Sequence, residues 1–318
     1  MGRDVESWLT SCRVCPRQCG ANRAEGTLGF CGEGAHLRVA SIEAHFGEEP
    51  PISGEHGSGT VFFSGCTLQC DFCQNYQISR SHIGTIMTVA EVVQRLTDLS
   101  VARRIHNVNF VTPDHFLPHT IEIVQLLRAR GIDLPIVYNL SGYERQETLH
   151  ALEGYADIYL PDFKYADTRL GERLSHCRDY PSIALDAIAE MIRQQGILDV
   201  ARSEHLTGTA LRGVLVRHLI LPGYIQNSLD ALSMLFLEFG NTLPLSLMSQ
   251  YSPVTPCPDP QLRRRITDEE FSLVYTHALE LGFQTLFVQY PSDHALSSSE
   301  FLPDFSQSQP FKGNRRTA

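Results

Sequence analysis

The sequence lacks a long apolar run, an excess of basic residues and a secretory signal. Its longest uncharged stretch near the C-terminal end, residues 239–258, contains four prolines and several polar residues, so it does not predict a membrane-spanning helix. Acidic residues outnumber basic ones by 36 to 26, which argues against a generally basic nucleic-acid-binding surface. The first residues carry no apolar signal core. We therefore expect a cytoplasmic protein with neither a membrane nor a nucleic-acid partner.

The cysteines are unevenly distributed. The chain has 318 residues, enough to bury a substantial core, and seven of its nine cysteines fall in the first 73 positions. Reduced thiols in a cytoplasmic protein more often serve metals or catalysis than disulfides. This distribution predicts three parts: a Cys-rich N-terminal segment (1–58), a body (59–290) and a flexible tail rich in Ser, Pro and Gln (291–318).

The body alternates strand and helix signals. Strands are predicted at residues 60–63, 108–111, 136–138, 157–160, 213–219 and 245–248, each followed by a helical pattern, with a last strand at 284–289. Capping boxes at Thr88 and Thr267 open two of the helices. Six strand–helix units in series predict an α/β fold with a parallel sheet and helices outside. Because no Gly-x-Gly-x-x-Gly follows a strand, a partial (β/α) barrel fits better than a doubly wound sheet.

Polar side chains follow the predicted strand ends, where barrels place their active sites. Loops are often polar, but six consecutive polar strand ends favour a shared pocket. Side-chain alternation sends Arg217 and His218 to opposite faces, so at most one points into the barrel. The candidate site residues are Thr112, Asn139, Ser141, Asp162, Lys164, Arg217, His218 and Gln250.

The most specific chemical signal is the spacing Cys66-x3-Cys70-x2-Cys73. Three thiolates on one tight loop can hold a four-iron cluster and leave one iron open to another ligand. A structural zinc site would need four closed ligands, and no fourth Cys or His lies close by; His82 is nine residues further on. The spacing therefore predicts an open iron–sulfur cluster.

A second group of thiols lies near the N-terminus. Cys12, Cys15, Cys19 and Cys31 stand among glycines, and a Cys-x2-Cys pair is a common metal knuckle. Three interpretations remain open: a closed zinc or iron site, an auxiliary iron–sulfur cluster, or reduced thiols without a ligand. We favour metal, although donor softness does not separate zinc from iron.

The order of these motifs resembles the radical S-adenosylmethionine (SAM) superfamily, in its pyruvate formate-lyase activating enzyme-like branch of uncharacterised proteins. The resemblance runs from about residue 10 to 285 and rests on residues 62–76, 138–144, 157–165, 216–223 and 248–251. It implies a partial (β/α)6 barrel and a [4Fe–4S] cluster on Cys66, Cys70 and Cys73. The open iron of that cluster would chelate SAM, whose reductive cleavage gives a 5′-deoxyadenosyl radical.

The resemblance also implies roles for single residues. Phe72 would pack beside the adenine, and Asp162 and Lys164 would contact the cofactor. Asn139 and Ser141 would orient the ribose, unless they serve only as turn residues. Many family members carry Gly-Gly-Glu-Pro after the second strand; here Thr112 precedes Pro113. Either the Thr112 hydroxyl or backbone carbonyls would replace the missing contact to the methionine amine, and Asp114 would supply the charge. Arg217, His218 and Gln250 are weaker candidates for cofactor binding.

Three functions remain open on these grounds. The first is hydrogen abstraction from a protein glycine, as in the activation of a glycyl-radical enzyme. The second is radical modification of a small molecule or nucleic acid. The third is a non-catalytic iron–sulfur protein for electron transfer or sensing, which explains the polar strand ends poorly. The first two need an electron donor such as flavodoxin or ferredoxin. No residue acting on the substrate is identified.

Overall fold

The strands form two connected sheets in the computed structural model, which describes residues 7–199, 208–254, 257–291 and 302–311. They are β1 (Leu37–His45), β2 (Ser58–Phe63), β3 (Thr85–Met87), β4 (Val108–Val111), β5 (Ile136–Leu140), β6 (Ile158–Pro161), β7 (Gly213–Val214), β8 (Val216–Leu219), β9 (Leu245–Met248) and β10 (Leu286–Val288). The larger sheet has the order β3-β1-β2-β4-β5-β6-β7, and the smaller has β10-β9-β8. A parallel bridge between Asp162 and Arg217 joins them.

Helices connect most of the parallel strands, which confirms the predicted α/β fold. Their bounds are α1 (Ser7–Thr10), α2 (Pro50–Ser53), α3 (Tyr76–Ser79), α4 (Val89–Arg103), α5 (Leu117–Ala129), α6 (Gln146–Leu152), α7 (Thr168–Ser175), α8 (Tyr180–Gln195), α9 (Ile225–Phe239) and α10 (Asp268–Glu280). Both predicted capping boxes are present, at the starts of α4 and α10. None of the described helices has the length and apolarity needed to cross a bilayer.

The parallel strands bury both of their faces. On one face Val61, Phe63 and Phe110 pack with the helices. The opposite face, which we call the inner face, carries Phe62 and Val111, paired side by side in register. Towards the N-terminal ends of the parallel strands, Phe287 of β10 packs on the inner face against a cluster that includes Val137 of β5 and Ile158 of β6. Contact between such distant strands means that the sheet curves around its inner face, as it does in a partial barrel.

The predicted boundary at residue 58 does not separate two folding units. Residues of β1 pair antiparallel with β2, from His45 opposite Ser58 to Val39 opposite Phe63. Strand β3 then pairs with the other edge of β1. The N-terminal segment therefore extends the sheet of the body beyond β2, and the sheet is mixed rather than purely parallel. Residues 1–6 of that segment lie outside the described residues.

Several predicted elements have different bounds. The strand expected over residues 213–219 is split into β7, which pairs with β6, and β8, which pairs with β9. Helices α5 and α8 carry Pro118 and Pro181 in their first turns, where proline fits. Helix α7 was not predicted, because its eight residues are fewer than the window of about 11–18 residues over which helical periodicity is read.

The tail expected to be flexible is packed in part. Phe305 is buried against Phe62 and Val111, and Phe311 lies beside Phe62 with ring centroids 5.1 Å apart. The Gln77 side chain donates to Asp304 Oδ1 at 3.1 Å and accepts from Phe305 N at 2.8 Å. Residues 302–311, which we call the C-terminal segment, therefore cover part of the inner face. The rest of the predicted tail, residues 292–301 and 312–318, lies outside the described residues.

Candidate functional site

The three spaced cysteines lie on a tight loop directly after β2, residues 66–73, which we call the cysteine loop. Gly65 enters it with φ +81°, and a Cβ there would lie 2.5 Å from Glu33 Cγ and 2.8 Å from Cys31 O. Glycine is therefore required both by the left-handed backbone and by the close approach of the N-terminal segment. Inside the loop, Cys73 N donates to Cys70 O at 3.1 Å.

The thiols of the cysteine loop share a buried environment. Burial raises the pKa of Cys66 and of Cys70, and in each case the neighbouring thiols raise it further. Lys164 acts in the opposite direction on Cys70, and Leu68 N donates to Cys66 Sγ at 3.4 Å. Buried thiolates need positive charge nearby, which metal ions supply. Three soft, unpaired thiols on one loop thus fit an iron–sulfur cluster by donor type.

Lys164 and Asp162 form an ion pair beside the cysteine loop. Burial alone would lower the pKa of Lys164, but Asp162 and Cys70 hold it above its ordinary value, so the ammonium stays charged. Tyr180 fixes this part of the chain, since its Oη accepts from Lys164 N at 3.0 Å and contacts Asp162 O at 2.8 Å. The predicted pair is therefore assembled next to the thiols.

Phe72 is buried in an aromatic setting. Its ring meets those of Tyr165 and Tyr251 edge-on, with centroids 6.3 and 6.5 Å apart. Tyr165 follows β6, and its hydroxyl hydrogen-bonds Ser175 Oγ at 2.5 Å, while Ser175 in turn bonds Cys70. The sequence argument did not single out Tyr165 or Ser175 as site residues, although Tyr165 stands in the motif that contains Asp162.

Thr112 has a strained backbone. Its φ of +55° is uncommon for a β-branched residue, and its N–H donates to Asn139 O at 3.1 Å, which joins the ends of β4 and β5. Strain of this kind is often kept at functional sites. Both side chains are partly exposed at the same edge of the sheet as the cysteine loop. Thr112 and Asn139 are therefore placed together, as the strand-end prediction requires.

The Ser141 hydroxyl contacts a buried pair of carboxyl groups, those of Asp114 and Glu144, and does not lie on the open rim of the site. We call these two residues the acid pair. Ser141 Oγ lies 2.7 Å from Asp114 Oδ1 and 3.1 Å from Glu144 Oε1, and one hydroxyl proton can serve only one of them. Burial raises the pKa of Glu144 well above its ordinary value, and Asp114 raises it further. Glu144 therefore keeps its proton to a higher pH than an exposed glutamate does. Because these carboxyl groups occupy the Ser141 hydroxyl, a ribose contact through it would require their rearrangement.

Arg217 and His218 point to opposite faces, as the alternation argument predicted, and both are engaged within the protein. Arg217 lies on the inner face and binds Glu48 and Glu49. His218 Nδ1 is 2.6 Å from Phe163 O and its Nε2 is 2.9 Å from Ser228 Oγ, so neither ring nitrogen is left for a ligand.

The pKa of His218 supports the same conclusion. Burial lowers it to about 4, so the ring is neutral at pH 7. His218 therefore packs as a core residue, contrary to its prediction as a cofactor contact. Gln250 is half-buried, and its Nε2 lies 3.6 Å from Met248 Sδ.

Two of the N-terminal cysteines, Cys19 and Cys31, lie beside Gly29. A Cβ there would lie 3.0 Å from Cys19 Sγ and 3.6 Å from Cys31 Sγ. Burial raises the pKa of Cys15 to about 12, and the neighbouring Cys12 and Cys31 contribute to that rise. In the part of the chain that the structure describes, however, no three Cys, His, Asp or Glu side chains converge closely enough to hold a metal ion as they stand.

Arg17 connects the N-terminal cysteines to the cysteine loop. Its Nε donates to Thr67 O at 3.0 Å, its Nη2 donates to Ser175 O at 2.7 Å, and its guanidinium lies 4.0 Å from the Phe30 ring centroid. Gln69 Nε2 adds a second link, to Phe30 O at 2.7 Å. The two cysteine groups are therefore parts of one packed region, a contact that sequence spacing gave no means to find.

The acid pair generates a pH prediction. A carboxyl whose pKa is raised by folding stabilises the protein below its unfolded pKa and loses that contribution as the pH rises towards the folded value. Replacing Glu144 by Gln leaves no carboxyl to ionise at this position, so the variant does not lose this stabilising contribution as the pH rises. We expect the unfolding free energy of Glu144→Gln, relative to the parent, to increase as the pH rises above about 5.

Urea unfolding at several pH values measures this difference. Glu147→Gln, at an exposed position on α6, is the matched control and should show no such trend. A constant difference between Glu144→Gln and the parent across the pH range would contradict the assignment of the proton to Glu144.

Comparisons with known proteins agree with this geometry. A family model described as the Radical SAM superfamily matches residues 60–208. The uncharacterized protein MJ0674 of Methanocaldococcus jannaschii is 29% identical over 283 residues, which cover 86% of this chain and 74% of that protein.

Among solved structures, SuiB of Streptococcus suis bound to SAM matches with a TM-score of 0.46 at 11% identity over 71% of this chain. The match spans about half of SuiB, 48% of its length. A domain of pyruvate-formate lyase-activating enzyme from Bacteroides vulgatus matches with a TM-score of 0.37 at 14% identity, covering 58% of this chain and 99% of that domain.

The matched family region starts within β2 and contains the whole cysteine loop, the strained Thr112 and the Asp162–Lys164 pair. The relative from Methanocaldococcus jannaschii extends the sequence likeness over most of the chain. With three spaced thiols at the end of the first parallel strand of an α/β fold, this region of the chain is similar to the radical SAM superfamily.

Proposed function

We propose that Cys66, Cys70 and Cys73 hold a [4Fe–4S] cluster and that the chain uses it to abstract hydrogen from an organic substrate. The observation that carries this proposal is the position of the three thiols on one tight loop after β2, with Cys70 and Cys73 beside the charged Lys164. As in radical SAM enzymes generally, the bound cluster supplies the electron that cleaves SAM and gives a 5′-deoxyadenosyl radical. The partial (β/α)6 barrel proposed from the sequence is consistent with the curved sheet.

The residues around the cysteine loop have chemistry suited to SAM. Lys164 presents a permanent positive charge to a carboxylate, and Asp162 presents acceptors to hydroxyl groups. Phe72 and Tyr251 give an apolar wall for an adenine ring. Thr112 would face the amine.

The substrate has two candidates. Activation of a glycyl-radical enzyme follows from the branch that the sequence resembles, and would make a protein glycine the substrate. A small molecule is favoured by the C-terminal segment, because Phe305 and Phe311 already occupy the inner face beside Phe62. In either case we propose a reduced flavodoxin or ferredoxin as the electron donor.

The first test removes one ligand of the cluster. We expect Cys70→Ala to lose the four-iron absorption and the formation of 5′-deoxyadenosine together, because a missing thiolate exposes a second iron. The measurement is anaerobic reconstitution with SAM and a chemical reductant. Cys257→Ala, also a buried cysteine but outside both cysteine groups, is the control and should retain both signals. Parent-level SAM cleavage by Cys70→Ala would refute the proposal.

A second variant tests the contact to the cofactor. Asp162→Asn should keep its iron but bind SAM more weakly, since a lost charge-assisted hydrogen bond costs roughly 1.5–3 kcal/mol, or about ten- to a hundredfold in affinity. Calorimetric titration of the reconstituted protein measures the change. Asp230→Asn, at an exposed position on α9, should bind as the parent does. Equal affinities for all three proteins would remove Asp162 from the site.

We further propose that Cys12, Cys15, Cys19 and Cys31 bind a second metal, zinc or iron. The support is their proximity in a segment with few apolar residues of its own, which an ion would help to fold: Cys19 and Cys31 lie beside Gly29, and Cys12 and Cys31 act on the pKa of Cys15. Because the sulfurs do not converge as they stand, binding would turn them inwards.

The proposed N-terminal metal site is tested in a protein that lacks the three cysteine ligands of the [4Fe–4S] cluster. A variant with Cys66, Cys70 and Cys73 all changed to Ala should still carry about one equivalent of zinc or one iron site after anaerobic purification. Elemental analysis measures it. A further change of Cys15 and Cys31 to Ser should remove that metal. If the triple variant holds no stoichiometric metal under any loading condition, the four thiols are unligated.

A further inference from the structure

Two buried hydroxyl groups lead up to one thiol of the cysteine loop. Ser175, the last residue of α7, hydrogen-bonds Cys70 through its side chain. Its Oγ also lies 2.5 Å from Tyr165 Oη. Both Ser175 and Tyr165 are fully buried, so water does not compete for these contacts. We call Tyr165 and Ser175 the hydroxyl chain, and none of the roles given above uses it.

The protons of the hydroxyl chain can be assigned by counting. Each hydroxyl carries one proton, and a thiolate sulfur can only accept a hydrogen bond. Burial raises the pKa of Tyr165 well above its ordinary value, and Cys70 raises it further, so the phenol keeps its proton. Tyr165 Oη then donates to Ser175 Oγ. Once Cys70 is a thiolate, the serine proton is therefore directed at its sulfur.

The backbone around Ser175 is tied to the cysteine loop and to the N-terminal segment. The last carbonyls of a helix have no partner within it. In α7 two of them are bound from outside: Asp71 N donates to Leu174 O at 2.9 Å, and Arg17 Nη2 donates to Ser175 O at 2.7 Å. Asp71 directly follows Cys70 in the loop. The serine hydroxyl is therefore held in place before any metal binds.

A hydroxyl that donates to a ligand sulfur favours the more negative state of an iron–sulfur cluster. The reduced cluster carries one electron more than the oxidised one, and hydrogen bonds to the sulfurs are among the features that set its reduction potential. Burial strengthens such a hydrogen bond, because the surroundings screen it less than water does. Lys164 also acts on Cys70, but Asp162 pairs with it and offsets part of its charge. Ser175 adds a donor without an opposing charge.

We propose that Ser175 raises the reduction potential of the [4Fe–4S] cluster by donating to the Cys70 sulfur, and that Tyr165 is a positioning residue that acts through Ser175. When one electron passes from a reduced flavodoxin or ferredoxin to the cluster, the hydroxyl stabilises the added negative charge. One electron moves and no proton does, since the hydrogen bond is kept in both states. The inference rests on the proposed function, because it concerns the same cluster.

The test is an anaerobic redox titration of the reconstituted protein, followed by the EPR signal of the reduced cluster. Ser175→Ala should keep its iron, while its equilibrium constant for reduction falls about two- to tenfold, as expected for one lost hydrogen bond. Tenfold corresponds to a midpoint lower by about 59 mV for one electron. Tyr165→Phe should shift the midpoint less, in the same direction. Ser182→Ala, exposed on α8, and Tyr159→Phe, whose buried hydroxyl bonds Gln194, should titrate as the parent does.

A double variant and a choice of reductant separate this role from a loss of packing. If Tyr165 acts through Ser175, Tyr165→Phe should not change the midpoint of Ser175→Ala any further. With reduced flavodoxin, Ser175→Ala should form 5′-deoxyadenosine more slowly than the parent. With titanium(III) citrate, a stronger reductant, the two rates should be equal. A merely structural defect would slow the reaction with both reductants.

A parental or higher midpoint in Ser175→Ala, or additive shifts in the double variant, would overturn the inference. If Ser175→Ala does not assemble a cluster, Tyr165→Phe decides alone, by a lower midpoint or an unchanged one. The proposed function fails separately. A parent protein that assembles no four-iron cluster refutes that function, whereas a parent that cleaves SAM while the variants keep its midpoint refutes only the role of the hydroxyl chain.

Discussion

One buried hydroxyl group holds the edge of the sheet where the site is built. Tyr180 Oη lies 2.9 Å from Ser141 O and 2.8 Å from Asp162 O, while it accepts a hydrogen bond from Lys164 N. Burial raises the pKa of Tyr180 well above its ordinary value, so the hydroxyl keeps the proton that it shares between the two carbonyls. A Cβ at Gly142 would lie only 2.6 Å from this oxygen, which leaves glycine as the residue that fits. The ends of β5 and β6 are thereby fixed relative to each other.

Local patterns in the sequence predicted the parts of this fold that local physics determines. The capping boxes at Thr88 and Thr267 need only a side chain and the first turn of a helix, and both are formed. The alternation that separates Arg217 from His218 is a property of any extended strand. The cysteine spacing identified its loop because three thiols so close together have few other uses.

Pairings between distant segments could not be predicted in the same way. Strand β1 has no distinctive periodicity, and its place is set by hydrogen bonds to β2. The C-terminal segment looks disordered by composition, yet two phenylalanines find apolar partners on the inner face. Arg217 was a reasonable cofactor contact by position, but the acids that bind it lie 168 and 169 residues away. These contacts decide which strand-end residues remain free for a ligand.

The contact between Gln77 and Phe305 joins residues 228 positions apart. It can therefore form only when nearly the whole chain has been synthesised. The cysteine loop and the strands around it are synthesised long before the C-terminal segment that covers Phe62 and Val111, and a domain completes its folding only after its last segments are made. Until residues 302–311 are made, this part of the inner face therefore exposes apolar side chains to water. The packing of Phe305 and Phe311 would then be the last step that covers it.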